Sequence, residues 1–256
     1  ATLSGGAVIA GDLTVVGDSY IAISGSPSLG GTTDPELMGQ HIHSLSATPQ
    51  VPTVDLEPLA ALATNVVDSS TSTSSPGLTF SNIRIASSTN PTFGSDVVIN
   101  GMTYVEAPNI VSFAGKTTIN GMVVTEDSDN PIESCQLSFS AQVEAYGVET
   151  LPDIPEFDQV RQETGTFILA PGFAVTFSGQ FSAISGTIAA DQLTFTGQAE
   201  GIVKGAVIGL GDYPTSLDGI VEIRVDRLNA YPDPAGFVKT IALEVDPASY
   251  RELVGG

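Results

Sequence analysis

His41 and His43 stand one residue apart, so in an extended segment both imidazoles project to the same side, a spacing able to chelate a transition metal. No cysteine lies near them, and a third ligand would have to come from an unspecified Asp or Glu; solvated loop histidines are the simpler reading. A second candidate is Glu126-Asp127-Ser128-Asp129-Asn130. Glu126, Asp127 and Asp129 offer the oxygen ligands that Ca²⁺ prefers, although the segment lacks the glycine spacing and distal Glu of an EF-hand and the Gly-Asp nonapeptide of calcium-binding β-rolls. A polar corner loop is its default, so no cofactor is expected, with calcium at Glu126, Asp127 and Asp129 as the alternative. Asp153, Glu156, Asp158, Arg161 and Glu163 form the third grouping, the acids and base that a polysaccharide lyase or hydrolase would need. Sequence does not fix their separation in space, and surface charge is the plainer account of such residues in a Pro-containing loop. Neither a Gly-rich phosphate loop nor a Gly-x-Ser-x-Gly elbow with a plausible triad is present. The sequence therefore predicts no catalytic residue and no enzyme.

The elements that carry these residues follow from composition. In 256 residues there are 27 Gly, 16 Pro and no Trp, and only 14% of positions are charged. That is turn-rich material with little to build helices, and the class it leaves is all-β. Lys and Arg number 8 against 29 Asp and Glu, a formal charge of -21. Such an imbalance argues against a nucleic-acid partner and against anionic membrane surfaces. No apolar run approaches the roughly 18 to 20 residues that span a bilayer, so no membrane insertion of this chain is expected. Ala1-Thr2-Leu3-Ser4-Gly5-Gly6 has neither the basic residues nor the apolar stretch of a signal peptide, so an exported protein would have lost its export signal or anchor. The single Cys135 excludes an intramolecular disulfide and reads as a small buried residue.

An internal repeat organises the rest. Phe93-Gly94-Ser95-Asp96-Val97-Val98-Ile99-Asn100-Gly101-Met102 returns twenty residues later as Phe113-Ala114-Gly115-Lys116-Thr117-Thr118-Ile119-Asn120-Gly121-Met122. A looser form, an aliphatic residue, then Ser or Thr, then Phe, ends at Phe80, Phe113, Phe139, Phe177 and Phe195, with Gly101, Gly121, Gly147, Gly186 and Gly205 between β-branched residues. Short alternating strands at a period near twenty fit the coils of a right-handed parallel β-helix better than hairpins. Alternation turns the aliphatic residue and the Phe inward and Ser or Thr outward. The expected core is a column of Phe80, Phe93, Phe113, Phe139, Phe177 and Phe195, with Met102 and Met122 also inside. The divisions are N-terminal β-helix coils at 1–25, a Pro/Ser/Thr-rich excursion with one short helix at 26–77, a main β-helix of six or seven coils at 78–210, and a C-terminal cap of strands and a helix at 211–256.

The segments Ala63-Thr64-Asn65-Val66-Val67, Phe80-Ser81-Asn82-Ile83-Arg84-Ile85, Asn90-Pro91-Thr92-Phe93, the two Ile-Asn-Gly-Met coils, Gly165-Thr166-Phe167-Ile168-Leu169-Ala170-Pro171-Gly172-Phe173, Gly186-Thr187-Ile188-Ala189-Ala190 and Pro234-Ala235-Gly236-Phe237-Val238 carry a resemblance. Together they resemble the extracellular β-helix region of bacterial PilX-like pilus-assembly proteins, and more weakly the polymer-forming bactofilins. The prepilin-like hydrophobic helix with which such proteins begin is absent from this sequence. The resemblance implies a non-enzymatic, structural role at the cell surface or outside a bacterium, with other pilus or surface proteins, or further copies of itself, as partners. Ala1 to Gly11 is uncharged up to its last residue, flat and Gly-rich, so the N-terminal coil is expected to dock on a neighbouring subunit and give a homopolymer. A carbohydrate-binding or carbohydrate-cleaving β-helix is the alternative.

Overall fold

The computed structural model describes residues 2–9, 13–16, 21–45, 53–225 and 234–238. They form a parallel β-solenoid of about ten turns with two short helices, α1 (Pro35–Gly39) and α2 (Glu57–Leu62). Each full coil visits three faces in turn. Val97–Val105, for example, runs along the first face at 97–100, turns at Gly101 and continues on the second, and Asn109–Phe113 supplies the third. Thr117–Thr125 lies directly above Val97–Val105, pairing with it residue by residue, so the twenty-residue repeat is one coil.

Glycine sets the corners because neighbouring backbones leave no room for more. A Cβ on Gly121, whose φ is 148°, would stand 2.0 Å from the Gly101 carbonyl oxygen one coil below. No L-residue fits that approach without moving the coil.

The interior is filled from all three faces. Phe93, Phe113, Phe139, Phe177 and Phe195 stack on the third face with ring centroids 5.1, 4.6, 4.8 and 5.3 Å apart and planes within 10° of parallel. That spacing is the strand separation of a parallel sheet, so each ring continues the one beneath. Phe80 does not join the column. It pairs with Ile99 on the first face and meets Phe93 edge-on at 84° and 5.6 Å. The Ser81-Asn82 turn that follows Phe80 carries the chain onto the second face, and the third-face position of that coil falls to Phe93.

Met102 and Met122 also depart from expectation: both lie outside the lumen. Ile99 and Met102 are three apart, and an odd separation puts them on opposite sides of a strand. With Tyr104, Val124, Leu169 and Ala189 they make the second face apolar on its outer side too. The excursions cover it. Leu59 and Ala63 from α2 and its C-terminal end, Val148, Leu151, Phe157 and Val160 from the segment after Gly147, and Ala235 and Phe237 build a second core there. A sheet face buried on both sides is what its unbroken apolar run at 167–170 encodes.

The order of coils in space differs from their order in sequence. Ser216–Gly219 and Glu222–Val225 form a further coil rather than a cap. The N-terminal coils do not precede the main β-helix; Thr2–Leu3 and Val8–Ile9 stack on that last coil, and Ala22–Ile23 and Ser28–Leu29 stack on them in turn. The reason is visible in the corner glycines. Gly197, Gly219, Gly5 and Gly25 form one column, with a Cβ on Gly5 only 2.7 Å from the Gly219 oxygen and one on Gly25 2.7 Å from the Gly5 oxygen. Ala199, Val221 and Ala7 follow two residues after three of these glycines, and all are fully buried. Of the cap expected at 211–256, residues 226–233 and 239–256 lie outside the described residues.

Candidate functional site

The described residues enclose a groove of about 430 Å³ where the third face turns into the first. Gln142, Gln180, Phe181, Glu200, Gly201, Ile202 and Glu222 line it. Gln142 and Gln180 immediately precede the strands Val143–Tyr146 and Phe181–Ser185, and their carbonyls accept the N–H groups of Thr117 and Val143 at 3.0 Å. The main chain of both is thus fixed between coils, with the carboxamides at the groove. Phe181 is buried, and Gly201 lies against its ring: a Cβ there would stand 2.1 Å from a ring carbon. The hollow exists because Gly201 has no side chain to fill it.

Glu200 and Glu222 are paired residues of adjacent parallel strands. Their backbones are therefore about 4.8 Å apart, and like charges placed opposite one another repel. Lower on the same face Glu144 pairs with Lys116 at 3.1 Å. Two carboxylates and two carboxamides offer acceptors in number with a few donors. That set suits a polyhydroxyl or amine-bearing ligand better than an anion.

Sequence reasoning missed this site. Glu200 and Glu222 carry a signal, the 22-residue offset that also separates Gly197 from Gly219. Gln142 and Gln180 are separated by an excursion that breaks the period, so their alignment is legible only in the fold.

The expected site residues are placed differently. Glu126 turns to the coil below and accepts the Ala107 N–H at 2.8 Å, while Asp127 and Asp129 are exposed. Among the described residues no three His, Cys, Asp or Glu side chains are grouped as a metal would need, so Glu126, Asp127 and Asp129 are not gathered into a ligand set. The Glu126 contact belongs to a series. Glu106 accepts the Ser87 N–H at 3.2 Å, and Asp191 accepts that of Gly172, each from the residue nineteen positions earlier. Acids at this corner thus tie coil to coil. Burial raises the pKa of Asp191, opposed by the Gly172 N–H and reinforced by Asp127 and Asp212.

His41 belongs to the turn that closes α1, its N–H donating to the Met38 carbonyl at 3.0 Å, and only His43 lies in the strand Ile42–Leu45. The two do not share one extended segment as the spacing suggested. In the second excursion Arg161 pairs with Asp153, whose side chain is 86% exposed. Leu151, Phe157 and Val160 point into the second core instead, leaving Glu156 and Asp158 exposed and Glu163 half-buried. Cys135 is fully buried beneath the third face.

No family model matches the chain, and no curated protein or solved structure is similar to it. No helix among the described residues is long and apolar enough to cross a membrane.

Proposed function

We propose that this chain is a structural module of a bacterial cell-surface appendage or extracellular filament that associates with further copies through the ends of its solenoid. The observation that carries the reading is the stack of parallel ladders running through about ten turns, with a stacked aromatic spine inside. At about 4.8 Å per turn this is a rod of roughly 45 Å, stiffened along its length by parallel pairing. Both ends present β-strands. At one end Phe80 is only half-buried; at the other Ala22 and Ile23 are exposed, Ile23 by 42%. Unpaired strand edges with apolar residues at the lumen mouth are surfaces on which another solenoid can stack, and a head-to-tail contact propagates. The net charge of -21 opposes close approach, so association strengthens with salt.

Negative-stain electron microscopy and light scattering test this across protein concentration at low and high salt. Filaments or end-to-end dimers whose population rises with salt are expected. A chain that stays monomeric at high concentration in both conditions overturns the reading.

A second reading, a carbohydrate-binding module, is favoured by the Gln142, Gln180, Glu200 and Glu222 groove. Titration with neutral and amino-sugar oligosaccharides separates the two. Saturable binding that Gln180→Ala abolishes would establish the second.

A further inference from the structure

The first-numbered coils occupy a place that covalent continuity does not reserve for them. Thr2–Leu3 pairs on one side with Ser216–Gly219 and on the other with Ala22–Ile23. Val8–Ile9 lies between Glu222–Val225 and Ser28–Leu29 in the same way. Leu13–Val16 in turn pairs with Ile42–Leu45, so the described residues between 2 and 45 form a separate block seated on the coil that ends at Val225, while the chain beyond them supplies the far end of the rod with Asn65–Val67.

The seam between the block and the rest is short. Thr2, Leu3 and Val8 pair with Ser216, Leu217 and Glu222, whereas Val97–Val105 pairs with Thr117–Thr125 at every residue. Apart from those of the Ser4 hydroxyl, its bonds are backbone bonds between standard coils: the N–H groups of Ser4, Gly6 and Val8 donate to Leu217, Gly219 and Val221 at 3.0–3.1 Å. Nothing in them distinguishes the block of one copy from that of another. The same Gly5-on-Gly219 corner forms whichever chain supplies Gly5.

From this topology we propose that the block between residues 2 and 45 exchanges between copies, the block of one chain completing the solenoid of the next on its Ser216–Val225 coil. The partner is a second copy of this chain, and the inference rests on the self-association proposed above while assigning it a different contact. Exchange preserves every bond of the seam and of the block, and alters only the connection after Leu45, which is the condition under which domain swapping has little thermodynamic cost.

The Ser4 hydroxyl lies 2.6 Å from a carboxylate oxygen of Asp218 across the seam, so cysteines at these positions report who completes whom. Full-length chains carrying Ser4→Cys alone and Asp218→Cys alone, each with Cys135→Ala, are mixed, unfolded, refolded at high concentration and oxidised. Exchange gives a covalent heterodimer of twice the chain mass that is absent when either variant is treated by itself. The double variant Ser4→Cys/Asp218→Cys, refolded at high dilution, is expected to close the disulfide within one chain, showing that fold and geometry survive. No heterodimer, with that internal disulfide formed, overturns exchange; failure of the internal disulfide overturns the seam and the proposal with it. Filaments of the unaltered chain without heterodimer in the mixture sink exchange but leave end-to-end stacking, whereas heterodimers without filaments support exchange and sink the filament.

Discussion

Replacing Phe139 by Ala removes the middle ring of the aromatic column. Phe139 is 1% exposed and stacks on Phe113 at 4.6 Å and on Phe177 at 4.8 Å. Phe to Ala in a packed core costs about 3–5 kcal/mol, and each stacked pair contributes about 0.5–1.5 kcal/mol beyond buried area. The upper part of that range applies, about 4–5 kcal/mol, because two ring contacts vanish and the rigid coils above and below cannot collapse into the space. Phe80→Ala is the internal comparison. Phe80 is half-buried at the rod's end with a single edge contact, so its loss amounts to about 1–2 kcal/mol. Urea unfolding followed by far-UV circular dichroism and tyrosine emission gives both values on the same scale. If Phe139→Ala falls within 1 kcal/mol of Phe80→Ala, the column is not what holds the coils in register.

Arg84→Ala frees α2 from the second face, because its guanidinium donates to the Ala60 and Ala63 carbonyls, pairs with Glu106 and covers the Tyr104 ring; a loss of about 2–3 kcal/mol is expected, with proteolysis near Leu62 as the local check. Gly121→Ala forces its Cβ against the Gly101 oxygen and lowers stability by about 2–4 kcal/mol, read from the shift of the urea midpoint. Asp191 binds its proton more tightly folded than unfolded, so it contributes stability that is present below its unfolded pKa and lost as pH rises through the raised folded value. Asp191→Asn keeps an acceptor for the Gly172 N–H and removes that loss, so the variant's melting temperature should fall less than the parent's between pH 4 and 7; an unchanged difference refutes the assignment.

The coil itself was legible because one signal, the period of twenty, controls both the corner glycines and the inward Phe residues. Parity was equally present in the sequence: Ile99 and Met102 cannot both face inward if alternation passes through Gly101. The exterior core was not legible. Leu59, Phe157 and Phe237 become neighbours through excursions whose paths no local pattern specifies. The spatial order of coils was half-written in Gly197, Gly219, Gly5 and Gly25, yet a reader moving from first residue to last places the first coil first. The groove was invisible for a related reason, since its four polar residues come from four coils and an excursion interrupts their spacing.

A ribosome makes this chain in an order opposite to the one in which its upper end is completed. Ser4 emerges early, but Asp218, against which it rests, lies 214 residues later. At about 5–20 residues per second that is a wait of roughly ten to forty seconds. Through that interval the coils near Asn65 can stack successively while the block between residues 2 and 45 waits for the Ser216–Val225 coil of its own chain. The seam therefore closes late in synthesis, and among the described coils this block is the one longest available to anything else that offers a strand.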